Sequence, residues 1–95
     1  MQTTVANKYA LADGWQRDPQ FVYIGRGSMF GNPFKDESRD ENIARFKRYF
    51  DQHLLQDERF VEALEGLRGK TLVCFCKPRA CHGDIIANYL NRSGA

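Results

Sequence analysis

The chain has 95 residues, of which 42% are hydrophobic, 13% aromatic and 27% charged. It is therefore not a disordered chain, and it is too short for two full domains or a large α/β barrel. The 14 Lys and Arg against 12 Asp and Glu give a formal charge of +2, too small to mark a nucleic-acid binder by bulk electrostatics.

A chain of this length buries roughly 60–65% of its unfolded surface, enough for one modest core. No apolar run approaches the roughly 18 residues of a membrane span. The polar start, Met1 to Tyr9, lacks the hydrophobic stretch of a signal peptide. These features predict a cytoplasmic protein with no membrane partner. The three cysteines all lie between Cys74 and Cys81. An odd, tightly clustered set does not read as a secreted disulfide framework.

In chain order, Thr3 to Tyr9 reads as a short strand and Ala12 to Gln20 as a polar, turn-rich loop. Phe21-Val22-Tyr23-Ile24 is a β-branched and aromatic run that stops at Gly25, the pattern of a buried strand. The segment from Gly25 to Pro33 is a glycine-rich loop. Ser38 with Glu41 three positions on forms a capping box. Behind it, Ile43, Phe46, Phe50, His53 and Leu54 recur at helical spacing and predict a helix from Asp40 to Leu55. Asp57 caps a second helix with Phe60, Leu64 and Leu67 on one face and Gly69 as its stop.

Thr71 to Cys76 is the second clear strand, apolar on both faces and so expected to be covered on both sides. A last helix begins near Cys81 and turns Ile85, Ile86, Tyr89 and Leu90 inward. The order β-β-α-α-β-α over residues 1–95 predicts a single small α/β domain. It should be three-layer-like, with a short, mostly parallel sheet flanked by helices and a right-handed crossover. Parallel pairing of the Phe21 and Thr71 strands opens both following loops at one sheet edge.

Two constellations follow those strands. In the first, Arg26, Gly27, Ser28, Gly31 and Asn32 lie in a glycine-rich turn. Such a turn lets backbone N–H groups approach a ligand, and Arg26 adds a fork of donors suited to phosphate or carboxylate. Neither common glycine-rich phosphate fingerprint matches, so a purely structural loop is the competing reading.

In the second, Cys74, Cys76, Cys81 and His82 give four soft ligands within nine residues, the inventory of a tetrahedral zinc site. The spacing is not a common finger pattern, and adjacent helical side chains such as Cys81 and His82 diverge by roughly 100°. A metal-free reading makes Cys81 or Cys76 a nucleophile, with His82 or Asp84 as proton carrier. The positive end of the helix dipole, with Lys77 and Arg79 nearby, would favour the Cys81 thiolate. Burial as small core residues is the third reading for Cys74 and Cys76. Asp84 is either a ligand and proton group at the rim of the cleft or a helix cap. His53 is expected to be semi-buried, Trp15 to stack or cover the core, and Arg39, Arg45, Lys47 and Arg48 to form a solvated basic face.

Val22 to Arg26 with Gly31-Asn32-Pro33-Phe34, Leu67 to Lys70, and Cys74-Phe75-Cys76 with Cys81-His82-Gly83-Asp84 resemble the family called domain of unknown function 4326. The resemblance runs from about Val5 to Leu90. In that family the aromatic between the first two cysteines is often Trp, where this chain has Phe75. The resemblance implies a phage or prophage product, hence the host cytoplasm, and carries no activity. The strand, loop and helix ending in Cys-His is also similar to domain of unknown function 488. That family usually has Arg where this chain has Gly83, and the likeness implies an α/β cleft with a cysteine at its floor.

Ligands of open α/β sheets bind beyond the carboxyl ends of the strands, where both constellations fall. The sequence therefore predicts a cleft between the Gly25–Phe34 loop and the Cys74–Asp84 segment. It would hold a phosphorylated nucleotide or nucleoside-like molecule, with Cys76, Cys81, His82 and Asp84 at a reacting end. The alternative is a non-catalytic accessory protein that binds nucleic acid or a host protein, its cysteines and His82 holding structural zinc or packing in the core.

Overall fold

The computed structural model describes residues 2–75, 77 and 79–93. Its centre is β3 (Thr71–Cys74), which pairs in parallel with both β1 (Thr4–Asn7) and β2 (Phe21–Tyr23), giving the strand order β1-β3-β2. Val5, Leu72 and Val22 stand side by side in register and join the hydrophobic core on one face of the sheet. Val73 points to the opposite face. Leu72 and Val73 are both fully buried, so the central strand is covered on both sides, as its composition requires. The domain is the α/β fold expected, with the element order expected.

The crossover from β2 to β3 carries two helices. The Ser38 hydroxyl accepts the Glu41 N–H at 3.2 Å and starts α1 (Arg39–Gln52). Phe46 and Phe50 are its buried residues. The helix ends three residues before the predicted Leu55, because His53 leaves helical geometry and a 3-10 turn, Leu54–Gln56, follows. That tighter turn lets Leu54 and Leu55 pack against the core. His53 lies just past the helix end and is exposed, its ring against Tyr49, rather than semi-buried.

The Asp57 carboxylate accepts from the N–H groups of Arg59 and Phe60 and caps α2 (Glu58–Glu65). This helix stops at Gly66, one turn before the predicted Gly69. Gly69 instead takes φ 76° in the turn that feeds β3, and its N–H donates to the Thr3 hydroxyl at 3.0 Å.

The last helix, α3 (His82–Ser93), buries Ile86, Ala87 and Leu90, with Ile85 and Tyr89 packed beside them. Asn91 clamps it to the start of β1: its carbonyl oxygen accepts the Thr3 N–H at 2.8 Å, and its amide donates to the Thr3 carbonyl at 2.9 Å. Trp15 lies half-buried on a 3-10 turn, Trp15–Arg17, beside β2. An aromatic chain runs through the core from Tyr89 to Phe50 to Phe46 to His82, with ring centroids 5.6, 5.9 and 5.2 Å apart. Offset or edge-on rings at such distances add about 0.5–1.5 kcal/mol per pair beyond burial. The core therefore ends on an imidazole, at the carboxyl edge of the sheet.

Candidate active site

Beyond the ends of β2 and β3 a cavity of about 320 Å³ opens between the two loops that leave them. Gly25, Arg26, Asn32 and Phe34 come from the first loop, and Cys74, Phe75, Ala80, Cys81 and His82 from the second segment. Arg39, Asn42 and Ile43 of α1 close the remaining side.

The glycine loop is held by its own polar groups. The Ser28 hydroxyl donates to the Gly25 carbonyl at 2.7 Å, and the Gly31 N–H to the Ser28 carbonyl at 3.1 Å. Asn32 fastens the loop to α1. Its amide donates to the Asn42 carbonyl at 3.1 Å, and its carbonyl oxygen accepts the Phe34 N–H at 2.9 Å. Gly27 adopts φ 92°, which suits glycine. Gly31 sits close to the Gly25 carbonyl, where a Cβ would come within 2.7 Å of the oxygen. With the backbone fixed in this way, Arg26 is exposed at the cavity. Gly27, Ser28 and Gly31 line a neighbouring hollow that shares Arg26 and Asn32.

On the other wall, Cys81 takes the cap position of α3. Its sulfur accepts the Gly83 N–H at 3.2 Å, and its own N–H donates to Asp84 Oδ2 at 3.1 Å. The arrangement is a variant of the capping box, with a thiol where serine or threonine usually stands and with Gly83 rather than Asp84 donating its N–H to the cap side chain. Because Cys81 precedes the helix, its side chain and that of His82 do not diverge as two helical neighbours would. Cys81 Sγ lies 4.0 Å from His82 Nδ1. Both side chains are buried, Cys81 2% exposed and His82 8%.

The other ring nitrogen, Nε2, donates to the Ile24 carbonyl at 2.8 Å. Burial pushes the imidazole below its ordinary pKa, and the bond to Ile24 opposes that shift only in part. In the neutral ring that burial favours, the Nδ1 lone pair faces Cys81.

Asp84, predicted at the rim, does not line the cavity. One oxygen caps Cys81 and the other meets Lys77 Nζ at 2.6 Å. This contact holds Lys77 above the usual lysine range. Cys74 lines the cavity with Cys81 and His82. Cys76, the remaining member of the expected zinc set, lies outside the described residues. Among the described residues no three His, Cys, Asp or Glu side chains are arranged to share a metal ion.

Arg39 lines the cavity although it belongs to the helix face expected to be solvated. The signal was available: a crossover helix that follows a parallel strand begins at the carboxyl edge of the sheet, so its first turn meets the cleft. Arg45 and Lys47 behave as expected, pairing with Glu37, Glu41 and Asp51 on the surface. Neither Arg26 nor Arg39 forms an ion pair among the described residues.

The sequence profile of DUF4326, a domain of unknown function, matches residues 7–92. The chain belongs to this family. It is also 47% identical over 73 residues to an uncharacterized 12.4 kDa protein in the nrdA-td intergenic region of Enterobacteria phage T4, an alignment covering 75% of this chain and 68% of the phage protein. No solved structure matches. The family is thus phage-associated and α/β in fold, and no described helix is long and apolar enough to cross a membrane. The segments that carried the resemblance supply both walls of the cavity.

Proposed function

We propose that this protein binds a phosphorylated nucleotide or nucleoside-like ligand in the cavity between the two loops, in the cytoplasm of the phage host. One observation carries the reading. Two guanidinium groups without a carboxylate partner among the described residues, Arg26 and Arg39, line one cavity beside the N-terminus of α3. A cationic, partly enclosed site of this kind favours a multiply charged anion, and helix N-termini add a favourable dipole. The rings of Phe34 and Phe75, one from each wall of the cavity, offer apolar faces to a base.

Cys81 and His82 then stand at the reacting end, as a thiol beside an imidazole lone pair. A nucleophile and base oriented by a third group is the arrangement used in covalent catalysis. Here the third group is the Ile24 carbonyl.

Isothermal titration with a panel of nucleoside monophosphates tests the reading, together with mass spectrometry of nucleotides retained on purification. Arg26→Ala and Arg39→Ala should each weaken binding about tenfold or more, the loss expected for one charge-assisted hydrogen bond. Their melting temperatures should change little, because both side chains are exposed. Unchanged affinity in both variants, or no nucleotide binding by the wild type, rejects the proposal. Metal analysis of protein purified without added zinc separates it from the metal version of the accessory-protein alternative, in which Cys74, Cys76, Cys81 and His82 hold a structural ion rather than pack in the core.

A further inference from the structure

Outside the cavity the surface stays aromatic and basic. Phe75 at the rim is 46% exposed and Tyr9 is 79% exposed. The Lys8 ammonium lies between them, 5.6 Å from the Phe75 ring centroid and 5.1 Å from that of Tyr9. On the other side, the hollow that shares Arg26 and Asn32 with the cavity has a volume of about 360 Å³ and adds Lys35. Cations and exposed rings therefore succeed one another from Lys35 through Arg26 and Phe75 to Lys8 and Tyr9.

A mononucleotide held at Arg26 and Arg39 does not use Tyr9, Lys8 or Lys35. Exposed rings cost free energy when left in water, and rings interleaved with ammonium and guanidinium groups fit a polyanion that carries flat apolar groups. Single-stranded nucleic acid has that chemistry, because its bases leave their faces free for aromatic side chains. In a duplex those faces are already stacked on one another.

We propose that the ligand of this cleft is the phosphorylated end of a single-stranded nucleic acid, the terminal phosphate at Arg26 and Arg39 and the following bases on Phe75 and Tyr9. The inference rests on the nucleotide reading above and extends it from one unit to a chain.

Fluorescence anisotropy with a labelled, 5′-phosphorylated tetrathymidylate tests it against unlabelled thymidine 5′-monophosphate and a short duplex as competitors. The tetramer should bind at least tenfold tighter than the monophosphate, as one or two additional stacked bases provide. Its log affinity should fall against log salt with a slope of about −1.4 if Arg26 and Arg39 together neutralise the terminal phosphate and Lys8 the next one. Tyr9→Ala, at a side chain exposed enough to be truncated without unfolding the domain, should erase roughly tenfold of the tetramer's affinity.

If the monophosphate binds and the tetramer binds no better, the extension is wrong and the nucleotide site stands. If neither binds, both fall. A duplex that competes as well as the tetramer, or a Tyr9→Ala variant with unchanged tetramer affinity, also overturns the single-strand assignment.

Discussion

Replacing Gly83 by alanine tests why a glycine follows the Cys-His pair. A Cβ at this position would lie 2.6 Å from Ile24 Cδ1 and 3.3 Å from both Cys81 Sγ and Val5 Cγ1. Ile24 is fully buried and Cys81 nearly so, so the nearest atom has no solvent to move into. Overpacking of this kind costs about 1–3 kcal/mol. Taking the middle of that range, about 2 kcal/mol, and allowing alanine up to about 1 kcal/mol of helix propensity leaves a net loss of about 1–2 kcal/mol. For a domain of this size that lowers the melting temperature by roughly 4–16 °C.

The displaced residue is also the one whose carbonyl holds His82, so the variant should loosen the site as well as the core. Urea titration should show a lower midpoint with an unchanged slope. Asn88→Ala on the exposed side of the same helix serves as the control, with a small gain from propensity alone. A Gly83→Ala protein as stable as the wild type would refute the argument and show that Ile24 has room to turn.

His82 is depressed by burial, so as pH falls the unfolded chain takes up its proton first, near its ordinary value of about 6.5. The stability this group contributes is whole above that value and declines below it until the folded pKa is reached. Urea midpoints between about pH 7.5 and 5.5 should therefore drop in the wild type and flatten in His82→Gln, and an equal drop in both would place the cause elsewhere. Asp84→Asn keeps a cap acceptor for Cys81 and loses only the partly exposed pair with Lys77, at a cost below about 1 kcal/mol. Asp84→Ala loses the cap too, for about 1 kcal/mol more; equal midpoints for the two variants would exclude the capping role. In a Cys74→Ser, Cys76→Ser background, saturating nucleotide should slow iodoacetamide modification of Cys81, which shares the cavity wall. Binding without protection would move the ligand away from that wall.

Periodicity carried most of the fold. The β-branched runs at Phe21 and Thr71 and the apolar spacing from Ile43 to Phe50 reflect burial on a sheet and on a helix face, and burial is what hydrophobic patterning reports. Helix ends were less legible. The 3-10 turn at Leu54–Gln56 depends on where the core lets leucines pack, which no local signal encodes, and of the two glycines that could stop the second helix, Gly66 and Gly69, the nearer does so. At the site, the glycine loop and Cys-His pair were visible because backbone approach and helix capping demand particular residues at fixed offsets. Arg39 was legible only through topology, since an arginine in a charged helix gives no local sign of facing a cleft while the start of a crossover helix at the carboxyl edge of the sheet does. The closeness of Cys81 to His82 was hidden, because it turns on Cys81 lying one residue outside the helix.

The strand order has a consequence for how the chain acquires its structure. Strands β1 and β2 flank β3 and pair only with it, so Thr4 and Phe21 both await Thr71. During synthesis the first 70 residues can build helices and turns, yet this sheet has no seam to close until its middle member leaves the ribosome. The Thr3–Asn91 clamp comes later still. Pairings so distant along the chain slow folding, because loop closure must precede the contacts that reward it. The sheet of a nascent molecule should thus assemble late, in a single cooperative step, with both walls of the cavity arriving together.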